Sequence, residues 1–288
     1  MNLTYLAFRI AVALVPRLPP WLVVGLTYAA GWIAWLANVG GRRAVRANLR
    51  VVLGVEPTGA QVRTVFVTAA QNYCDLFCLP RLSEDDLAPR VDVEGWEHLA
   101  RALAARRGAL LASLHLGNIE VIGRAAELRG VEVVLPVERI EPPELLDLML
   151  RLRRRAGLIC EPVGDGAIDA IRAALKRNAV VGIGADRITL GSGEAVTFCG
   201  RSAQLPVAAA MLALRTGAPL LPCASQRLPG RRFRVRIGAP IPVARSGHAR
   251  ADVRLLTERL LTDLGVYLRA NPTQWVIFRS IWKTECAD

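Results

Sequence analysis

The chain has 288 residues, enough for one large domain or a domain with a small accessory piece. With 52% hydrophobic residues it is not a disordered chain, and it has the material for a sizeable core. An excess of 37 basic over 25 acidic residues gives a net charge of +12 and calls for an anionic partner. Aromatics make up only 6%, without basic–aromatic interleaving, which argues against nucleic acid, and a mean hydropathy of +0.31 points to a membrane surface instead.

The first forty residues are the most apolar. Leu3 to Val15 carries one charge, Arg9, before a Pro16–Pro20 break, and Trp21 to Ala37 carries none. No Lys or Arg precedes the first apolar run, which argues against a secretory signal. The second run is at the lower edge of a bilayer span, softened by Gly25 and Gly31. Arg42, Arg43, Arg46 and Arg50 follow it, a cluster suited to anionic headgroups on the cytoplasmic side. Three readings stand together here: a core helix pair, a helix lying on the membrane, or a true span. Membrane contact is favoured.

Gln61 to Phe77 repeats apolar residues at helical spacing and stops at Pro80. From about Val91 short apolar runs alternate with amphipathic stretches. Strands are expected at 91–93, 109–114, 131–137, 158–163 and 179–184, with helices at 96–106, 118–128, 142–155 and 168–176 between them. Further strands are expected at 195–198, 219–224 and 232–237, and further helices at 207–215 and 251–268. This alternation predicts an α/β fold with a mainly parallel central sheet flanked by helices. Residues 1–80 read as a hydrophobic helical anchor region and 81–288 as the α/β domain.

The six cysteines, Cys74, Cys78, Cys160, Cys199, Cys223 and Cys286, lack CxxC or Cys/His ligand spacing. They read as buried thiols in a reducing compartment, with no metal site. Gly164-Asp165-Gly166 and Gly182-Ile183-Gly184 do not complete GxGxxG, and there is no P-loop or GxSxG elbow. The informative stretch is Gly108 to Glu120, where an apolar strand ends on His115, Gly117-Asn118 punctuates, and Glu120 falls in the first helical turn. Glu120 is expected to accept the imidazole Nδ1–H and so make His115 a general base. Ser113, two residues before it, reads as structural. With no separate nucleophile, the proton removed would come from a bound acceptor hydroxyl or amine, as in direct acyl transfer. Strands 131–137 and 179–184 end in Glu138-Arg139 and Ala185-Asp186-Arg187, at the same predicted sheet edge, where ligands of open α/β sheets bind. Arg139 and Arg187 suit a phosphate or an oxyanion.

His115-Leu116-Gly117-Asn118-Ile119-Glu120 resembles the HxGNWE block (an HxxxxE motif) of the bacterial lipid A biosynthesis and lysophospholipid acyltransferase family, which includes phosphatidylinositol mannoside acyltransferases. The likeness continues in order through Asp186, Val196 to Gly200, Leu212 to Pro222 and Pro272-Thr273-Gln274-Trp275, and upstream through Arg42 to Leu49. The resemblance implies a catalytic His115 with Glu120 as partner. It places Arg139 and Asp186 at family site positions, with Asn118, Glu138 and Arg187 as neighbours contacting substrate. It further implies no cofactor, an acyl carrier protein or acyl-CoA donor, an anionic membrane glycolipid or phospholipid acceptor, and the cytoplasmic face of the cell inner membrane. Ile119 and Cys199 depart from the family's aromatics, which bears on acyl-chain and acceptor fit. The acidic donor would meet Arg151, Arg153, Arg154 and Arg155, or the Arg232/Arg234/Arg236 face. A lipid hydrolase and a non-catalytic lipid-binding protein are the rival classes.

Overall fold

The computed structural model describes residues 2–243 and 245–282, so Cys286 lies outside the described residues. Four helices come first: α1 (Leu3–Leu14), α2 (Pro20–Ala37), α3 (Val39–Leu53) and α4 (Gly59–Cys78), followed by the single turn α5 (Glu84–Leu87). The alternating part runs β1 (Val91–Glu94), α6 (Trp96–Ala104), β2 (Ala109–Ser113), α7 (Ile119–Glu127), β3 (Val133–Val137), α8 (Pro143–Arg155), β4 (Ile159–Pro162), α9 (Ala167–Lys176) and β5 (Val180–Gly184). A hairpin of β6 (Gly193–Phe198) and β7 (Arg201–Pro206) precedes α10 (Ala208–Thr216), β8 (Leu220–Leu228), β9 (Arg232–Ile237) and α11 (Ala249–Ala270).

Seven strands form one sheet in the order β1-β9-β8-β2-β5-β3-β4. Every neighbouring pair is parallel except β8 and β9, which run antiparallel. The mainly parallel α/β fold expected from the alternation is therefore present. Its antiparallel edge comes from the short Pro229–Arg231 link between β8 and β9, which leaves no room for a crossover. That hairpin also carries β8 to Leu228, past the expected end at Ala224.

Both faces of the sheet are covered, which is why β2 is buried at every position and apolar from Ala109 to Ala112. Leu110 and Ala112 enter a core with Ile171 of α9, Leu212 of α10 and Leu260 and Leu264 of α11. Ala109 and Leu111 enter the opposite one with Leu99 of α6 and Val121 and Ile122 of α7.

The N-terminal helices cover the chain from both faces, α3 reaching the α11 side through Val52. α1 and α4 pack on Leu145, Leu148, Met149 and Leu152 of α8 through Phe8, Leu76 and Phe77. On α2 only Val23, Thr27 and Gly31 are buried, a stripe of one residue per turn, while Trp21, Val24, Leu26, Tyr28, Trp32, Ile33 and Leu36 are exposed. The core-helix reading of this segment is thereby excluded. The helix is long and apolar enough to cross a membrane, with 17% of its residues buried.

Candidate active site

Parallel pairing of β2 with β5 sets Ser113 opposite Gly184. Two residues beyond each of these positions stand His115 and Asp186, so the ladder itself carries an imidazole and a carboxylate to facing places. Asp186 Oδ1 lies 2.7 Å from His115 Nδ1. Its Oδ2 accepts the His115 backbone N–H at 2.7 Å and the Trp275 indole Nε1–H at 2.7 Å. The Asp186 side chain is fully buried, whereas that of His115 is 29% exposed. A carboxylate at Nδ1 assigns the proton to that nitrogen and leaves Nε2 with its lone pair.

Electrostatics follow this geometry. Burial by itself lowers the basicity of His115, but the Asp186 charge and hydrogen bond outweigh it, with help from Glu120 and against Arg187. The pKa ends above the ordinary histidine value. Burial pushes the Asp186 carboxyl up, yet the His115 charge and the three N–H donors hold it below the usual carboxylate range.

The expected His115–Glu120 hydrogen bond is replaced by this His115–Asp186 one. Asn118 caps α7 by accepting the Glu120 N–H on Oδ1 at 3.1 Å, which fixes Glu120 in the first turn as expected. From there its carboxylate meets α8, where Arg153 donates to Oε1 from Nη2 at 2.8 Å and from Nε at 3.3 Å. Its influence on the imidazole is through space. Arg153 keeps its proton firmly: burial works against its charge, but the Glu120 partner raises its pKa overall.

The loop between β2 and α7 is held from several sides. Gly117 sits at φ +66°, and a Cβ there would run into the Ser225 carbonyl oxygen, so glycine is required. Its N–H donates to Gln274 O at 2.9 Å, its carbonyl accepts from Asn72 Nδ2 at 2.5 Å, and Val276 N donates to His115 O at 2.8 Å. Asn118 Nδ2 donates to Asp75 Oδ2 at 3.0 Å, and Asp75 is ion-paired with Arg227, which also donates to Asn72 Oδ1 at 3.0 Å. Asn118 is 1% exposed and holds the loop from behind, outside the cavity lining. Ser113 is buried and donates to Leu114 O at 2.9 Å, as a structural serine does.

A cavity of about 390 Å³ opens at this loop. Its polar lining includes His115, Glu120, Glu138, Arg153, Arg187 and Tyr73. The apolar part follows the α7 side of the sheet along Leu111, Ile122, Val133, Leu135, Val180 and Cys223. From His115 back to Leu111 the strand covers about 13 Å. Gly182 lies opposite Leu111 in the middle of this wall, and a Cβ there would come within 2.6 Å of Leu135 Cδ2. Its missing side chain keeps the space open. Burial pushes the Cys223 thiol up to about 12, so it is no nucleophile.

Of the expected site residues, His115, Glu120, Glu138, Asp186 and Arg187 converge, with Glu138 and Arg187 paired to each other. Arg139 does not join them. It donates from Nε to Val163 O at 3.2 Å and lies over Gly164, outside the cavity lining. The Arg232/Arg234/Arg236 face is largely neutralised: Arg234 pairs with Asp92 and Glu94, and Arg236 with Glu94, across the β1–β9 ladder. Arg46 and Arg50 likewise share Glu56, and Arg42 stacks on Trp35, leaving Arg43 exposed. Arg153 went unrecognised as a site residue within its run of arginines. It recurs at i, i+4 and i+8 with Leu145 and Met149 on the buried face of α8, a pattern that singles it out. Trp275 closes the Pro272-Thr273-Gln274-Trp275 block, a local signal that carries no role by itself.

The model of the family described as bacterial lipid A biosynthesis acyltransferase matches residues 2–284 of the chain. The chain is 29% identical to a phosphatidylinositol mannoside acyltransferase of Mycobacterium tuberculosis, over 91% of this chain and 89% of that protein. It is 26% identical to a protein of the same name from Mycolicibacterium smegmatis, over 92% of this chain and 93% of that one.

Proposed function

The chain belongs to the bacterial lipid A biosynthesis acyltransferase family and is an acyltransferase, and on that premise we propose how it works and on what. It moves a fatty acyl group from an acyl thioester, carried by acyl carrier protein or coenzyme A, to a hydroxyl of a membrane glycolipid or phospholipid. The observation that carries this reading is the His115–Asp186 pair at the mouth of an apolar cavity. The cavity has the volume of a small-molecule site, and its apolar wall suits an acyl chain whose thioester stops at His115.

In this mechanism His115 Nε2 takes the proton of the acceptor hydroxyl as its oxygen attacks the thioester carbonyl. The tetrahedral intermediate collapses by breaking the C–S bond, and the thiolate leaves with the proton held on the imidazolium. Asp186 stays ionised throughout, fixing the tautomer and stabilising the imidazolium. Arg187 and Arg153, held in the lining by Glu138 and Glu120, turn their remaining N–H donors to the developing oxyanion or an acceptor phosphate. No acyl-enzyme forms: Ser113 is tied to the backbone and Cys223 is held as a thiol. Arg139, turned toward Val163, has no part in the step.

Two relatives named phosphatidylinositol mannoside acyltransferase favour a glycosylated phosphatidylinositol over a lipid A precursor as acceptor. The exposed apolar α2 and the net charge of +12 support a location on an anionic membrane, at the cytoplasmic face where acyl thioesters are found.

The test is transfer of labelled palmitate from acyl-CoA or acyl carrier protein to a glycolipid extract. His115→Ala is expected to abolish transfer in a protein that still folds, at a lowered melting temperature, and still binds vesicles. Unchanged transfer by that variant would overturn the reading. Free fatty acid released without acceptor would favour a hydrolase.

A further inference from the structure

We infer that Trp275 is a positioning residue for the catalytic pair: its indole N–H holds the Asp186 carboxylate in register with His115 and tempers the basicity of the imidazole. Its kinetic consequence rests on the reaction proposed above.

Asp186 is a fully buried anion with three N–H donors: the His115 ring, the His115 main chain and Trp275. The first two move with His115 itself. Trp275 is the donor that comes from outside the β2–β5 ladder, and it reaches Asp186 across 89 residues of sequence. Being on Oδ2, it fixes the rotation of the carboxylate and leaves Oδ1 aimed at Nδ1. Two donors on one oxygen also draw negative charge away from the atom facing the imidazole.

The indole is itself held immovably. Its segment pairs with the catalytic loop through the Leu116–Trp275 bridge, flanked by Gly117 N to Gln274 O at 2.9 Å and Val276 N to His115 O at 2.8 Å. Gln274 is clamped on both sides, accepting from Arg227 N at 2.8 Å and donating to Arg227 O at 3.0 Å. The ring meets Phe198 and Trp282 edge-on, at centroid distances of 6.3 and 6.1 Å. A side chain needed only as filler would not require its one polar atom to meet the catalytic carboxylate.

The sign of the effect follows. Without the indole donor, Asp186 is a stronger base and a less delocalised anion, so it stabilises the imidazolium more. The His115 titration moves up. The other charged or titratable groups around His115 are Arg187, Glu138 beyond β3, Glu120 of α7, Arg153 of α8 and Tyr73 of α4. None of these is hydrogen-bonded to Trp275, so they remain as they are when it changes.

The experiment is an NMR titration of ring-labelled histidine in the full chain, the His115 signal being assigned by its loss in His115→Ala. Trp275→Phe is expected to raise the His115 pKa by a few tenths to about one unit. It is also expected to lower kcat about tenfold, with KM changed less than about twofold and the acid limb of the rate profile displaced by the same amount. Trp282→Phe is the control: it removes an indole N–H from the same aromatic cluster, one that donates to Phe198 O at 3.3 Å, and should leave the His115 titration unmoved. If Trp275→Phe does not fold, 3-benzothienylalanine at position 275 keeps the ring shape and deletes only the N–H. An unmoved His115 titration in either variant, or an equal shift in Trp282→Phe, overturns the role of Trp275. The titration needs no substrate. A shifted titration in a protein that transfers no acyl group would overturn the proposed reaction and leave the role of Trp275 standing.

Discussion

At the scale of single residues, the structure gives the contact expected of Glu120 to a different carboxylate. Asp186 is in contact with the imidazole, whereas Glu120 is tied to Arg153. Asp186→Asn is therefore expected to lower kcat by on the order of 10³–10⁴, as loss of the orienting acid does in related constellations, and to lower the unfolding temperature, because one amide oxygen then meets three N–H donors. Initial rates of acyl transfer together with thermal melts check this, and a larger loss from Glu120→Gln would contradict the geometry. The pH dependence has a definite sign. His115 acts as a base only when neutral, and Asp186 raises its pKa, so activity should fall through an acid limb lying above the usual histidine value of about 6.5. Stability runs the other way. The His115 contribution is full below that unfolded value and is lost as pH rises through the raised folded value. The Asp186 contribution is present above its unfolded value and is lost as pH falls through the lowered folded one. Melts of the wild type across pH check both limbs, and His115→Ala, which removes the main partner of Asp186, should flatten both.

At the scale of elements, the site is where three strand ends and three helices meet. α7 begins at Asn118, and α8 turns one arginine of its run inward to close the Glu120 charge. The Glu120 side chain is 10% exposed and that of Arg153 21%, so removing either partner leaves a poorly solvated charge. Arg153→Leu is expected to destabilise the fold by about 3 kcal/mol, while Arg153→Leu with Glu120→Gln recovers most of it, because the pair itself is nearly balanced by its desolvation. Chemical denaturation of the two single variants and the double variant measures this coupling. Additive losses would show that the pair does not act as a unit.

At the scale of the whole molecule, α2 stands out as a helix whose large residues face outward. Its buried stripe of Val23, Thr27 and Gly31 docks it on the protein, and Trp21, Ile33 and Leu36 are left on the outside. Replacing those three with serine should abolish flotation with anionic vesicles and spare the fold, since none is buried. Added salt should weaken binding, because the arginine cluster after α2 keeps a positive charge: Arg46 and Arg50 share the single Glu56, and Arg42 stays charged when stacked on Trp35. Retained flotation of the triple variant would place the contact surface elsewhere.

The sequence by itself determined the elements, the mainly parallel sheet and the family. Apolar period and strand–helix alternation are local properties, and a motif order spread over nearly the whole chain needs no coordinates. It also brought His115, Glu138 and Asp186 to one sheet edge. Which acid serves the histidine was beyond it, because that depends on β2 lying beside β5 with Ser113 facing Gly184, a pairing of segments some seventy residues apart that neither segment encodes alone. Arg139 and Arg153 exchanged expectations for the same reason: the facing of β3 and α8 relative to the cavity is set by packing between elements. Trp275 is the extreme case. It serves a carboxylate 89 residues away, and only the folded chain brings a donor from its end to the acid that holds the base.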